Sequence, residues 1–289
     1  MWRDRRVLVT GAAGLLGGWL TKSLLSLEAN VVCLVRDDVG EFLYGATRVR
    51  GDVRDQRFVE RVLSEHEIKT VFHLAAQTIV GVAHVNPVET LDVNVLGTTV
   101  VLEACRRNGG VEQIVVASSD KAYGECESAD EDTPMAGCHP YDVSKSCQDL
   151  VARMYATEYG LPVCLTRCGN LYGGGDLNWS RIVPGNIRRL LRGQQPVIRG
   201  TGSEVRNYCY VEDAAAAYVL LAEKMTQKPE LAGHAFNFSD ERDVSSLEMV
   251  SSIASQMSYR GLYTVVPGNG EIRKQSLCSE KARQLLGWK

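Results

Sequence analysis

Tyr141 and Lys145 stand four residues apart in Tyr-Asp-Val-Ser-Lys, and on a helix that spacing places both side chains on one face. A tyrosine is a poor base near neutrality because its phenol ordinarily ionises at about pH 10. A neighbouring ammonium favours the phenolate and is expected to lower that value. The pair can then take the proton of an alcohol while a hydride leaves the same carbon. Alone, Tyr-x-x-x-Lys is a frequent accident of a solvated helix face. Here it follows a predicted strand ending in Val116-Ala117-Ser118-Ser119, and Ser119-Asp120-Lys121 adds a hydroxyl, a carboxyl and an amine at that strand's end.

A second constellation says where the hydride goes. Gly11, Gly14 and Gly17 lie in Thr-Gly-Ala-Ala-Gly-Leu-Leu-Gly, directly after an apolar run and directly before an amphipathic one. In a strand-to-helix turn Gly11 permits the tight bend, Gly14 lets backbone approach a pyrophosphate, and Gly17 lets helix pack close to strand. The helix N-terminus offers free N–H groups to the anion. That is a dinucleotide cradle, in the Gly-x-x-Gly-x-x-Gly spacing. An acid at the end of the second strand selects NAD, and an arginine there suits the 2′-phosphate of NADP. Val35-Arg36-Asp37 supplies both, so NAD is the expected cofactor and NADP the alternative. Asp52, after the third strand, is a candidate for the adenine amino group, or equally a turn-capping aspartate. Leu74-Ala75-Ala76-Gln77 ends the fourth strand with small side chains that suit a cofactor lying against backbone.

The elements that must position these groups alternate. Short apolar runs at 7–10, 31–35, 47–50, 70–74, 113–118 and 163–167 read as strands. Helical periods fall between them at 19–27, 57–67, 87–108 and 141–159. Strands apolar on both faces argue for a parallel sheet covered by helices. A (β/α)₈ barrel is disfavoured because the alternation fades after about residue 170. The expected fold is α/β, a doubly wound parallel sheet of Rossmann type over 1–165, with a smaller mixed α/β substrate-binding region over 166–289. Strands such as 235–238 are expected to return to the core sheet.

Composition closes other routes. With 289 residues, the chain can bury a core without disulfide or metal staples. Thirty-two basic against 35 acidic residues exclude a broadly basic nucleic-acid binder. Nine cysteines without Cys-x-x-Cys pairs read as reduced thiols of a cytoplasmic protein, with Cys164 and Cys168 packing a core rather than holding metal. No apolar run reaches the length of a membrane span, and no leader peptide is expected before the first strand.

Taken together, these motifs resemble the extended short-chain dehydrogenase/reductases that act on nucleotide sugars. The resemblance runs nearly end to end. It takes in the glycine loop, Phe72-His73-Leu74-Ala75-Ala76-Gln77, Asp92-Val93-Asn94, Ser118 to Gly124 and Tyr141 to Lys145. It continues through Arg167 to Asp176 and Arg206 to Asp213, and closes with Leu286-Gly287-Trp288. Ser119-Asp120-Lys121 looks like the 4,6-dehydratase signature in its Asp-Lys form, as in CDP-glucose 4,6-dehydratase-like enzymes. The resemblance implies a lyase that makes an NDP-4-keto-6-deoxyhexose by internal hydride transfer. Tyr141 would take the O4 proton and Ser119 would steady the developing carbonyl. Asp120, kept protonated by burial, would be the acid for the leaving hydroxyl. Lys121, as a neutral amine, would be the base at C5. Lys145 would hold the nicotinamide ribose.

The same resemblance implies further cofactor contacts from Ala13, Leu15, Leu16, Val53, Asn94, Ser118 and Cys168, and substrate contacts from Thr78 and Asn170. Arg181 and Arg206 are candidate diphosphate partners, because a guanidinium fork matches phosphate oxygens. Asn207 stands where the family has an aspartate. Two further departures are a short 37–47 segment and an end directly after Leu-Gly-Trp, before a final helix usual in the family. A homodimer through the 87–108 and 141–159 helices is implied, with Val95, Val100, Val101, Met154 and Tyr155 as candidate contributors. Two rival functions are a 4-epimerase, which needs no Asp120-Lys121 pair, and a non-catalytic NAD-binding regulatory protein.

Overall fold

The computed structural model describes residues 1–36, 43–268 and 272–289. In chain order the first strands are β1 (Arg6–Thr10), β2 (Asn30–Val35), β3 (Thr47–Arg50), β4 (Thr70–His73), β5 (Gln113–Ala117), β6 (Cys126–Ala129) and β7 (Val163–Cys168). The helices between them are α1 (Leu15–Ser26), α2 (Gln56–Glu65), α3 (Val80–Val85), α4 (Pro87–Leu91), α5 (Gly97–Asn108) and α6 (Pro140–Tyr159). The second half adds β8 (Asn170–Tyr172), β9 (Val197–Arg199), β10 (Val205–Arg206), β11 (Tyr208–Tyr210), β12 (Ala235–Phe238), β13 (Val244–Ser245), β14 (Thr264–Val266) and β15 (Lys274–Leu277). Its helices are α7 (Ile182–Leu191), α8 (Val211–Gln227), α9 (Ser246–Gln256) and α10 (Glu280–Leu286).

Seven parallel strands form the main sheet, in the order β12-β7-β5-β4-β1-β2-β3. Alternation explains its two covered faces. Val7 and Val9 of β1 join Phe72, Leu20, Leu24 and Tyr218 in one core, while Leu8 joins Val71, Ile114, Val116 and Val101 in the other. The doubly wound parallel sheet is therefore as the sequence led one to expect. Strand order reverses between β1 and β4, the place where open α/β sheets collect ligands. A smaller mixed region flanks it, built on the four-stranded sheet β13-β10-β15-β6 and the pairs β11-β8 and β14-β9.

The regular alternation fades after residue 170 as expected, while α7, α8 and α9 still follow, and α8 packs on the same core as α1 through Ala214, Tyr218 and Leu221. The main sheet therefore draws on the second half for both α8 and β12. The expected single helix over 87–108 is α4, a π-helical turn over Asp92–Leu96, and then α5. The wide turn lets Asn94 point inward with its side chain fully buried, and such turns mark functional positions. Of the residues named for a dimer face, Val100, Val101 and Tyr155 lie in the chain's own core, and Val95 is half-buried. Met154 is exposed, beside Leu150 on α6. Cys164 is buried and all nine cysteines are free thiols. No described helix is long and apolar enough to cross a membrane.

Candidate active site

A cleft of about 1190 Å³ runs along the strand ends and continues under the second region. It exceeds the roughly 300–1,000 Å³ of a single-ligand pocket. Its first wall is the glycine loop. Gly11 has φ +69°, and a Cβ there would lie 2.7 Å from the Ala75 nitrogen. At Gly17 a Cβ would stand 2.2 Å from the Gly11 carbonyl oxygen. The loop thus closes on itself and on the end of β4 only because side chains are absent. Ser118 Oγ, also on the cleft, is buried without a hydrogen-bond partner among the described residues. A close-packed glycine cradle beside an unpaired hydroxyl fits a dinucleotide.

The candidate catalytic groups sit at the next strand end. Ser119 caps the short turn Asp120–Tyr123 by accepting from the Lys121 N–H at 3.2 Å, and its hydroxyl donates to Asp120 Oδ1 at 3.0 Å. Pro140 opens α6, where its fixed φ suits a first helical turn, and Tyr141 and Lys145 follow on one face. Ser119, Asp120, Tyr141 and Lys145 are all buried. Lys145 donates to the Ala117 carbonyl and to Gln148 Oε1, both at 2.7 Å.

Burial moves these groups in unequal directions. The Tyr141 phenol is pushed up to about 12, chiefly by desolvation and only partly offset by a hydrogen bond with Ser119. The expected lowering by Lys145 is therefore not present in the protein alone: the ammonium lies 6.0 Å from the ring centroid. Desolvation pushes Lys145 itself down to about 7, with Asp149 acting against it. Lys121 is likewise not arranged as a free amine. It donates to Asp120 Oδ2 at 3.1 Å, to Asn170 Oδ1 at 3.5 Å and to Gln275 Oε1, three acceptors that suit an ammonium.

Most residues singled out from sequence meet on this cleft: Gly11, Gly14, Leu15, Leu16, Gly17, Leu74, Ala76, Thr78, Ser118, Ser119, Asp120, Lys121, Tyr141, Lys145, Cys168, Asn170, Arg181 and Arg206. Others do not line it. Asp52 bonds Arg54 through both its backbone N–H and its guanidinium, which holds the carboxyl below its usual range. Val53 is packed in the second core. Asn94 accepts from the Gln77 N–H at 2.7 Å and donates to the Gln77 carbonyl at 3.1 Å and to Ser144 Oγ at 2.8 Å, so Asn94 and Gln77 brace the wall rather than form it. Ala13 and Ala75 also lie off the lining. Arg36 is exposed and also off it, and Asp37 lies outside the described residues.

The opposite wall was under-read from sequence. Besides Arg181 and Arg206 it carries Arg188, Arg189, Arg192, Arg199 and Trp179. Arg206 is held by donating to the Val205 and Ile272 carbonyls at 2.7 and 2.6 Å. Arg181 pairs with Asp176 at 3.2 Å, and the Arg188 guanidinium lies 4.6 Å over the Trp179 ring. The signal available was a run of arginines over 181–206, spread across a helix, a loop and two strands. Asn207 replaces an ion pair with neutral bonds: it donates to the Arg242 carbonyl and Asp243 and accepts from the Leu277 N–H.

Residues 7–238 match the model of the family described as "NAD dependent epimerase/dehydratase family". The chain is 30% identical to a CDP-glucose 4,6-dehydratase of Salmonella typhimurium, over 99% of this chain and 86% of that one. It is similar in structure to the UDP-glucose 4-epimerase of Thermotoga maritima solved with UDP-glucose. That likeness has TM-score 0.89 and 28% identity, covering 98% of this chain and 93% of the other. A dTDP-glucose 4,6-dehydratase of Streptomyces venezuelae with NAD bound superposes with TM-score 0.89 at 26% identity, over 98% and 91% of the two chains.

Proposed function

The chain belongs to the NAD-dependent epimerase/dehydratase family, and within it we propose that it is an NDP-hexose 4,6-dehydratase using NAD, with a CDP-hexose as the first substrate to try. The observation that carries this reading is the Asp120–Lys121 pair, set beside Ser119 on the same cleft as Tyr141 and Lys145. An epimerase has no need of such a pair. Residues 1–165 would mainly hold the cofactor, and the arginine wall of 166–289 would take the diphosphate.

When bound, NAD would supply the hydride acceptor for oxidation at C4 and the same hydride for reduction at C6. The chain's residues handle the protons. Tyr141 takes the O4 proton as its phenolate, a form that the positive ring of bound NAD would favour over the burial-raised phenol. Ser119 donates to O4 as the carbonyl develops. Asp120 and Lys121 are joined by one hydrogen bond of 3.1 Å. Transfer of its proton from nitrogen to oxygen turns an ion pair into an acid and an amine without changing the charge of the buried site. The acid then protonates the departing C6 hydroxyl, and the amine accepts the C5 proton. This answers how a lysine with three acceptors becomes a base.

The three acceptors on Lys121 also favour a second reading, a 4-epimerase in which Lys121 is a fixed cation. Incubation with a panel of NDP-hexoses followed by mass spectrometry separates the two. Loss of one water supports the dehydratase, and unchanged mass with inverted C4 supports the epimerase. Lys121→Ala is expected to oxidise C4 but not eliminate water; normal dehydration by that variant would remove the base assignment. A homodimer is proposed through α4 and α6, with Val88, Leu91, Leu150 and Met154 as its exposed apolar residues.

A further inference from the structure

One buried group next to the reacting residues has no part in the steps above. Gln148 is 1% exposed and lies one turn along α6 from Lys145. A lysine ammonium carries three protons, and Lys145 has two acceptors among the described residues, the Ala117 carbonyl and Gln148 Oε1. Because its oxygen is committed to that cation, the amide of Gln148 must face the other way. There its Nε2 donates to Thr98 Oγ1 at 2.9 Å.

From Thr98 onward each proton can be assigned. The Thr98 hydroxyl has a single proton and gives it to the Asn94 carbonyl at 2.7 Å. It therefore accepts from His73 Nε2 at 2.9 Å, which places the imidazole hydrogen on that nitrogen. His73 Nδ1 is left as an acceptor, and Thr10 Oγ1 donates to it at 2.8 Å. Thr10 Oγ1 in turn accepts the N–H groups of Leu74 and Ala75, each at 3.2 Å, where β4 meets the glycine loop. His73 is fully buried, and desolvation pushes its imidazole down to about 3, so the relay stays neutral across the ordinary range. The hydrogens from the cofactor wall and those from Lys145 thus converge on Thr98, whose own proton goes to the Asn94 carbonyl.

We infer that Gln148 is a positioning residue for Lys145: as a neutral acceptor locked by Thr98 and His73, it takes one ammonium proton, leaves one for the cleft, and adds no charge that would fix the lysine in its protonated form. The inference rests on the reading that Lys145 serves the hydride step. It deepens that reading by naming what sets the lysine's direction and charge. The charged and titratable groups around Lys145 are few. Asp149, one residue beyond Gln148, raises the lysine's proton affinity but is itself tied to Arg167 at 2.8 Å and Arg153 at 3.0 Å. Tyr141 shares the helix face, and His73 on β4 is held neutral.

The test titrates Lys145 directly, without substrate, by NMR of protein labelled with ¹³Cε-lysine, assigned through the signal missing from Lys145→Arg. Gln148→Glu, nearly equal in volume, is expected to raise the titration midpoint by about one to two pH units, as an adjacent opposite charge does. Gln148→Leu removes an acceptor of the charged form and should lower it. The pH midpoint of single-turnover hydride transfer should move in the same direction for each variant, with substrate KM changed little. Midpoints of both variants equal to that of the unaltered protein would overturn the inference. Should neither variant fold, Thr98→Val decides: a lowered midpoint supports the relay and an unmoved one overturns it. Failure to turn over any NDP-hexose, with the titration shifted as expected, would count against the proposed function and leave the role of Gln148 standing.

Discussion

The two walls of the cleft are built on different principles. On the side of the main sheet, Ser119, Asp120, Tyr141 and Lys145 are buried, and the polar atoms behind Lys145 and Tyr141 are held by named partners such as Gln148 and Asn94. On the opposite side, Arg188 and Arg189 are half-buried and Arg192 and Arg199 are exposed; the Arg189 and Arg199 guanidiniums rest on backbone carbonyls and that of Arg188 on an indole ring. The first wall suits groups that must not move during proton transfer, since preorganised dipoles act without reorganising. The second suits recognition of a flexible, charged ligand, where each contact adds modestly and alternatives exist. Proton chemistry is fixed, and recognition is distributed.

The largest effect expected from this contrast is on the fixed wall. Tyr141→Phe should lower single-turnover hydride transfer, followed by the absorbance of reduced cofactor, about 10³-fold. A loss below tenfold would mean that the buried wall is not where that chemistry sits. On the recognition wall, Arg206→Ala should raise KM about 10- to 100-fold with kcat nearly constant, the worth of one charge-assisted phosphate contact. The exposed Arg192→Ala should change KM less than about threefold; equal losses at both positions would erase the distinction between a held and a free guanidinium. The smallest effect is on stability. His73 is held neutral down to about pH 3, whereas an unfolded histidine protonates at about 6.5. Between those values the unfolded chain binds more protons, so stability present above pH 6.5 is lost as pH falls. Between pH 6.5 and 5.5 that loss is about 1 kcal/mol, seen in denaturant melts as a drop absent from His73→Gln.

The same contrast explains what the sequence disclosed. Strands such as Asn30–Val35 are apolar on both faces over residues 31–35, and the glycine loop, Tyr141 and Lys145 are close in sequence to the elements that aim them. Their chemistry could be read locally. The arginine wall could not, because Arg181, Arg192 and Arg206 converge only when α7, the following loop and β10 fold together. The strands Cys126–Ala129 and Lys274–Leu277 are short and polar, and they pair across nearly half the chain, so no periodicity announces them. Asp52 was open between two roles, and the structure shows the turn contacts of one of them, made with Arg54 two residues on. The bonds of Asn94 to Gln77 and Ser144 and of Gln148 to Lys145 and Thr98 depend on tertiary neighbours alone.

Gln275 gives the molecule an order of events. This buried side chain of β15 donates to the carbonyls of Asp120 and Gly124 and accepts from Lys121, joining positions about 150 residues apart. Ribosomes deliver the β1–β5 portion well before β15, and domains tend to fold in the order they emerge. A nascent chain can therefore complete its nucleotide cradle while the carboxyl–amine pair still lacks its anchor. That pair would take up its final geometry only after β15 has emerged and packed against it.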